Sequence, residues 1–238
     1  MTAPANDFIV MTSGAFTAAH LDLIPQLERL TKKKIVTATT SVGTGENSIA
    51  NRLKRGEIAD IVIVADALQR QFIEEGLVMA EGRMPVARSS IGLAVRAGAP
   101  KPDISSVDAL RRTLLEAKSI AYSASVSGQY LTQELVQRLG IADQVLGKCR
   151  HITGGERTGA VVARGDAEIA FQQMSELLPV PGLAHITPLP KELQKVSVFS
   201  AGVGASARDA ELARTVIKFL ASREAAPAIT KSGLEPIS

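Results

Sequence analysis

The sequence predicts an α/β protein made of two doubly wound lobes joined by two crossover strands. Short apolar runs alternate with amphipathic segments along most of the chain, a pattern typical of parallel sheets covered by helices. Two longer extended stretches, at 85–96 and 196–203, interrupt this alternation. We therefore expect a first lobe of residues 1–84 plus 197–238, a second lobe of residues 85–196, and a ligand cleft between the lobes. A chain of 238 residues, 45% of them hydrophobic, is long enough to bury such cores.

In the first lobe, three strand–helix units follow one another. The apolar run Phe8-Ile9-Val10-Met11 stops at a polar turn, and the helix after it carries Leu23, Leu27 and Leu30 on one face. We predict strands at 8–11, 35–40 and 60–64, and helices at 16–30, 46–55 and 66–75.

In the second lobe, the same alternation resumes after the extended stretch at 85–96. Ser106 is a plausible N-cap, and Gly140 stops a helix. We predict helices at 106–115, 129–139 and 156–164, strands at 119–122, 150–152 and 168–171, and loops at 123–128 and 153–155. The extended stretch at 196–203 then leads to two helices, at 209–220 and 223–231, which would complete the first lobe.

Composition excludes several classes of protein. The 27 basic and 24 acidic residues are mixed along the chain, 3% of residues are aromatic and there is no Trp, so we expect no nucleic-acid partner. The single Cys149 allows no internal disulfide, and the three scattered histidines favour no metal site. There is no Walker A, GxGxxG or GxSxG motif, and we expect no cofactor. No apolar run is long enough for membrane insertion.

The N-terminus lacks the basic and apolar regions of a signal peptide. We therefore expect a cytoplasmic protein if the sequence is full length, and a periplasmic one if a leader was removed.

Four predicted strand-to-helix turns could hold an anion. Each has small residues before a helix, where unpaired N–H groups and the helix dipole attract negative charge. Ligands of open α/β sheets lie beyond the carboxyl ends of the strands, where these turns are expected. Taken singly, each turn is also explained as an ordinary helix cap. The candidate ligand-binding residues in these turns are Ser13, Gly14, Thr44, Gly45, Ser125, Ser127 and Gly128, with Gly154-Gly155 as the fourth turn.

Arg157 is the strongest single candidate for binding a carboxylate. We expect it in the first turn of a helix, where the dipole disfavours a cation unless an anion is bound there as well. The alternative is a surface arginine paired with Glu156 or Asp166. Gln172, at the end of a strand, is a further candidate ligand-binding residue.

Glu46 and Glu156 are the candidate catalytic residues. Each lies beside a glycine-bearing turn, from which a carboxylate could transfer a proton to or from a bound ligand. The alternative is that both only complement a helix N-terminus. His20 and Cys149 are expected to be packing residues.

Three segments resemble the periplasmic molybdate-binding protein family of the type II periplasmic-binding superfamily. They are Thr12-Ser13-Gly14-Ala15-Phe16, the run NRLKRGEIADIVIV at 51–64, and residues 154–173. The resemblance implies two α/β lobes joined by two strands. It also implies oxyanion contacts at Ser13, near Thr44, at 125–128, at Arg157 and at 172–173.

The chain departs from the molybdate binders at three of these places. It has Gly43-Thr44-Gly45-Glu46 where the family has a serine-rich loop, Gln172 near the position where the family often has a tyrosine, and Arg157 where the family has an apolar residue. Molybdate is bound by neutral donors, and the chain is more similar to a divergent branch that includes aconitate isomerase.

Two functions follow from this resemblance. The first is a cofactor-independent isomerase that moves the double bond of an unsaturated di- or tricarboxylate by an allylic proton shift. The alternative is the substrate-binding protein of an ABC transporter for molybdate, another oxyanion or an organic acid. The partner is a small anionic metabolite in both cases, and an ABC permease would be a partner only in the second.

Overall fold

The computed structural model of the protein describes residues 6–38, 45–153 and 155–237. It divides into two compact units, Met1–Arg88 with Ser197–Ser238, and Ser89–Val196. Each unit contains one sheet, and the α/β class predicted from the sequence is confirmed. The ligand cleft expected between the lobes stays a prediction.

The elements are numbered in chain order. The strands in the described part of the chain are β1 (Phe8–Thr12), β2 (Ile35–Ala38), β3 (Ile61–Ala65), β4 (Met84–Ser89), β5 (Ile91–Arg96), β6 (Ile120–Tyr122), β7 (Cys149–His151), β8 (Ile169–Gln173), β9 (Leu183–Pro188), β10 (Ser197–Val203) and β11 (Glu235–Pro236). The α-helices there are α1 (Gly14–Thr31), α2 (Ile49–Lys54), α3 (Asp66–Glu74), α4 (Val107–Glu116), α5 (Val126–Gln129), α6 (Val136–Arg138), α7 (Ala142–Val145), α8 (Thr158–Arg164), α9 (Met174–Leu177), α10 (Ala210–Leu220) and α11 (Ala226–Lys231).

The sheet of the first unit has the order β11-β4-β10-β3-β1-β2. β1 runs parallel to β2 and β3, and β10 runs antiparallel to β3. β1 and β3 are buried at every position, which explains their unbroken apolar sequences. One face of α1 packs in the same core as residues of α10 and α11, among them Phe16, Leu23, Leu27, Val216, Leu220 and Ile229.

A buried carboxylate at the start of β3 ties three segments of the first unit together. Asp60, 2% exposed, accepts hydrogen bonds from the Ile9 backbone N–H at 2.6 Å and from the Arg208 backbone N–H at 3.1 Å. It also forms an ion pair with the Arg208 guanidinium at 3.0 Å. Because a buried charge is costly unless it is paired, these contacts are what allow a carboxylate here.

The sheet of the second unit has the order β7-β6-β8-β5-β9. β6 is parallel to β7 and β8, whereas β5 is antiparallel to β8 and β9. Tyr130 is buried in the core of this unit, and its hydroxyl donates to the Leu193 carbonyl at 2.6 Å.

The extended stretch predicted at 85–96 contains two strands and not one. β4 ends at Ser89 and belongs to the first sheet, and β5 begins at Ile91 and belongs to the second. Ser90 lies between them, and its carbonyl accepts from the Met174 N–H at 2.9 Å. The chain enters the second unit between Arg88 and Ser89, and it leaves that unit between Val196 and Ser197.

The loop predicted at 123–128 is shorter in the structure, because the helix begins at Val126. α5 continues through a π-helical turn, Tyr130–Leu135, into α6. Gly128 permits this start, since a Cβ there would lie 1.9 Å from the Ser123 carbonyl oxygen.

The helix predicted at 156–164 begins later, at Thr158, because Arg157 has an extended backbone and is the N-cap residue. The short elements α7, α9 and β9 were not predicted.

Candidate functional site

The carboxyl ends of three parallel strands define one edge of the second sheet. β7, β6 and β8 are neighbours in that order and run in the same direction. The segment after β6 leads into α5, the segment after β7 leads into α8, and α9 follows β8 directly. Such edges are where α/β sheets bind ligands. The segments that follow these strands are therefore the candidate site of this unit.

Three serines and one glutamine form a hydrogen-bonded chain at this edge. Ser125 Oγ lies 2.9 Å from Ser127 Oγ and 3.0 Å from Ser123 Oγ. Ser123 Oγ lies 3.2 Å from Gln172 Oε1, to which it donates. Ser123 is the donor in both of its contacts, and because a hydroxyl has a single proton it donates either to Ser125 Oγ or to Gln172 Oε1 at one time.

Glu176 lies near this chain in sequence, in α9, four residues after Gln172 of β8. The Gln172 side chain acts to lower the pKa of its carboxyl group. Burial raises the pKa of Glu176 to about 7, against the opposite effects of the Gln172 side chain and of the Arg157 charge. A carboxyl group with such a pKa is present in both protonation states near neutral pH.

Arg157 keeps its guanidinium available for an anion. The two acidic side chains considered as its partners, Glu156 and Asp166, pair instead with Arg164, at 2.6 and 2.9 Å. Among the described residues, none forms a hydrogen bond or ion pair with the Arg157 side chain, although its positive charge acts on Glu176. Arg157 is also exposed, so a ligand can reach it.

Two further hydroxyls of this unit are buried without partners. Thr158 Oγ1, in the first residue of α8, and Ser175 Oγ, in α9, have no hydrogen bond within the described part of the chain. Both residues are at most 2% exposed. Unpaired buried hydroxyls are uncommon in folded proteins, which makes these two candidates for contact with a ligand.

Ser13 and Gly14 lie at the corresponding edge of the first unit. Ser13 follows β1, is the N-cap residue of α1, and its side chain does not cap that helix. Ser13 is 4% exposed, and its Oγ has no partner among the described residues. Its backbone N–H donates to the Ile63 carbonyl at 2.9 Å, which fixes the turn against β3.

The second predicted turn is described only in part. Thr44 lies outside the described residues, and Gly45 is exposed. Glu46 is exposed as well, and Ser48 is the N-cap of α2, accepting from the Asn51 N–H at 3.2 Å. The catalytic role expected of Glu46 stays a prediction.

Glu156, the other expected catalytic residue, is exposed and ion-paired with Arg164. The fourth predicted turn is also incomplete, because Gly154 lies outside the described residues. The catalytic role of Glu156 and the binding roles of Ser125, Ser127, Gly128, Arg157 and Gln172 stay predictions as well.

Sequence reasoning missed Glu176, Thr158 and Ser175. One signal for Glu176 was available: a polar pair ends a buried strand, and an acidic residue follows four positions after the first glutamine. No sequence pattern distinguishes Thr158 from an ordinary helix-start threonine.

Among the residues that the structure describes, no helix is long and apolar enough to cross a membrane, and no three potential metal-binding side chains cluster together.

Two α/β units, formed by a chain that leaves the first unit and returns to it, define a protein of the type II periplasmic-binding class. The chain belongs to the bacterial extracellular solute-binding protein family, which it matches over residues 8–235. The resemblance inferred from the sequence motifs is thereby confirmed.

The chain is 39% identical over 235 residues to an aconitate isomerase from Pseudomonas sp., with 98% of this chain and 89% of that protein covered. Among solved structures, it is similar to the periplasmic molybdate-binding protein of Azotobacter vinelandii, with a TM-score of 0.76, 16% identity, and coverage of 96% of this chain and 98% of that one. It is also similar to a tungstate ABC transporter protein from Geobacter sulfurreducens, with a TM-score of 0.69, 15% identity, and coverage of 94% and 98%. At these identities the two structures show the fold alone.

Proposed function

We propose that this protein is an isomerase that moves the double bond of a small unsaturated di- or tricarboxylate, with aconitate as the first substrate to test. The observation that carries the proposal is the Arg157 guanidinium, which has no hydrogen bond or ion pair within the described part of the chain because Glu156 and Asp166 pair with Arg164. The aconitate isomerase relative, similar over nearly the whole chain, supports the same reaction.

Arg157 supplies the charge that a carboxylate substrate needs. A guanidinium can bind a carboxylate through two parallel hydrogen bonds. Ser125, Ser127 and Gly128 add hydroxyl and first-turn N–H donors, because the Ser125 side chain does not cap α5. Gln172 lies within the same hydrogen-bonded chain. Ser13 and Gly14 in the first unit, with Thr44 and Gly45, are the other ligand contacts we propose.

The reaction itself needs only acid–base chemistry. A base removes a proton from the carbon next to the double bond, and the resulting dienolate places negative charge on a substrate carboxylate. Cationic and hydrogen-bond donors fixed in position stabilise that charge. Return of a proton to the other end of the allylic system completes the isomerisation. Because no electrons are gained or lost overall, a redox cofactor has no part in it.

The second candidate is a receptor that delivers an oxyanion or organic acid to an ABC permease. The family match and the two solved structures favour it. Such a receptor works in the periplasm, with the permease as its partner. A negatively charged Glu176 beside the anion is unfavourable for molybdate, so an organic acid is the better ligand in this case.

The test is incubation of the purified protein with cis- and with trans-aconitate while the vinyl proton signals are followed by NMR. Interconversion that scales with protein concentration supports the isomerase. Thermal shift measurements with molybdate, sulfate and carboxylates run in parallel. Stabilisation by one of these anions without any interconversion of aconitate would support the receptor instead.

A further inference from the structure

Resting on the isomerase function just proposed, we propose that Ser123 is a positioning residue that acts through Gln172. Its hydroxyl holds the amide oxygen of Gln172, so that the amide N–H₂ group is the end that meets the substrate. The substrate group that Gln172 binds is then a hydrogen-bond acceptor, an ionised carboxylate.

The pairing of β6 with β8 brings Ser123 to Gln172. The two strands run parallel, with Ala121 opposite Ala170. Continuing this register by two residues places Ser123, which directly follows β6, opposite Gln172. Because side chains alternate along a strand, the two side chains lie on the same face of the sheet. The observed contact agrees, since Ser123 Oγ lies 3.2 Å from Gln172 Oε1.

The strand on the other side of β8 offers Gln172 no side chain. Gly92 of β5 lies opposite Gln172 in that pairing. A Cβ on Gly92 would lie 2.4 Å from Met174 Sδ and 2.6 Å from the Thr187 carbonyl oxygen, so a larger residue does not fit there. Gln172 is 5% exposed, and among the described residues Ser123 is the one that donates to its amide oxygen. Ser123 therefore decides which way the amide points.

The Ser123 proton is better placed on the amide oxygen than on Ser125. Ser123 Oγ also lies 3.0 Å from Ser125 Oγ, but its single proton serves one acceptor at a time. Ser125 has another partner, because its Oγ lies 2.9 Å from Ser127 Oγ. A proton given to Ser125 would leave the buried amide oxygen of Gln172 unpaired, which is the costlier arrangement. The hydrogen bond to Gln172 is therefore favoured.

With its oxygen engaged, the Gln172 amide presents two N–H donors. Its effect on Glu176 agrees with this orientation, because the Gln172 side chain acts to lower the pKa of that carboxyl group, as an N–H donor does. An amide N–H₂ group has a second proton, and this proton is left for a substrate carboxylate.

Arg157 lies at the start of the helix that covers this face. Val161 of α8 packs in one cluster with Ala121 of β6 and Ala170 of β8. The serine and the glutamine lie two residues further along these strands, on the same face. Arg157 is the N-cap residue of α8, and the segment after β7 leads into this helix. One ligand with several carboxylates can therefore meet both the guanidinium and the amide donors.

The test is a double-mutant cycle on the binding of tricarballylate, a saturated tricarboxylate that cannot isomerise, measured by calorimetry. Ser123→Ala should weaken binding about 3- to 10-fold, the value of a hydrogen bond between neutral groups. In a Gln172→Ala background, the same substitution should change the affinity less than about 2-fold, because the amide that Ser123 orients is gone. Ser123→Thr keeps the hydroxyl and should bind like the wild type. Ser105→Ala, which removes an exposed hydroxyl of the same unit bonded to Asp103, should leave the affinity unchanged.

The cycle separates positioning from folding. Equal losses in the two backgrounds would show that Ser123 does not act through Gln172 and would overturn the assignment. An unchanged affinity in Ser123→Ala or in Gln172→Ala would overturn it as well, and so would loss of the cooperative thermal transition in Ser123→Ala. Each of these results leaves the isomerase function standing if the wild type interconverts cis- and trans-aconitate.

The proposed function fails on a different result. A wild type that binds tricarballylate without converting aconitate would refute the isomerase, while the cycle would still decide the role of Ser123. A wild type with no affinity for tricarballylate would refute both.

Discussion

Lowering the pH should destabilise the first unit through a single buried histidine. His20 is fully buried in α1, and its Nε2 lies 2.8 Å from Thr37 Oγ1. Its Nδ1 has no partner in the described part of the chain. Burial lowers the pKa of His20 from 6.5 to about 4, because the charged ring would lose its hydration.

The size of the effect follows from proton linkage. In the unfolded chain the imidazole takes up a proton below about pH 6.5, whereas in the folded protein it stays neutral down to about pH 4. The stability contributed by the neutral His20 ring is therefore fully present above about pH 6.5, and it is lost as the pH falls from there to about 4. At 1.36 kcal/mol per pKa unit, the loss is about 2 kcal/mol at pH 5 and about 3.4 kcal/mol well below pH 4.

The measurement is urea unfolding at pH 7.5 and pH 5, compared with His20→Gln, whose amide can still bond to Thr37 but does not titrate. The wild-type free energy of unfolding should fall by about 2 kcal/mol more than that of the variant. His151 and His185 are exposed, and their contributions cancel in this difference because both proteins contain them. Equal losses in wild type and variant would refute the reasoning.

Three further substitutions have defined outcomes. Arg157→Ala should weaken aconitate binding about 10- to 100-fold in calorimetry, the value of a charged hydrogen bond, and an unchanged Kd would contradict its binding role. Asp60→Ala should lower the free energy of unfolding in urea by about 3 kcal/mol, because it removes the ion pair with Arg208 and the acceptor of the Ile9 and Arg208 backbone N–H groups, and a loss under 1 kcal/mol would be inconsistent with that network. Gly128→Ala should cost about 1–3 kcal/mol by the same assay, because its Cβ would clash with the Ser123 carbonyl, whereas Gly147→Ala, with nothing within 4 Å, should cost far less.

The fold was predictable from the sequence because its signals are local. β1 and β3 are continuous apolar runs, and the apolar positions of α1 recur at helical spacing. The elements that escaped prediction are short or irregular. α9 has four residues, too few to show a helical period, and β9 has no fully buried position.

The candidate site was predictable only in part. Arg157 and Gln172 could be identified as candidate ligand-binding residues because Arg157 lies at the start of a helix and Gln172 near the end of a strand. The raised pKa of Glu176 could not be predicted, because it follows from the burial that the fold gives this carboxyl group. The sequence offered Glu156 and Asp166 as possible partners of Arg157, without showing that Arg164 would bind both.

The order of the first sheet constrains how this protein can be made. β10 lies between β3 and β4, yet the ribosome synthesises the whole of Ser89–Val196 before it reaches β10. During that interval β3 lacks its antiparallel neighbour and presents an open apolar edge. The second unit is continuous in sequence, and it is fully synthesised before β10 is made, so its folding does not have to wait for β10. A nascent chain at this stage therefore has the complete sequence of Ser89–Val196, while the sheet of the first unit still lacks β10.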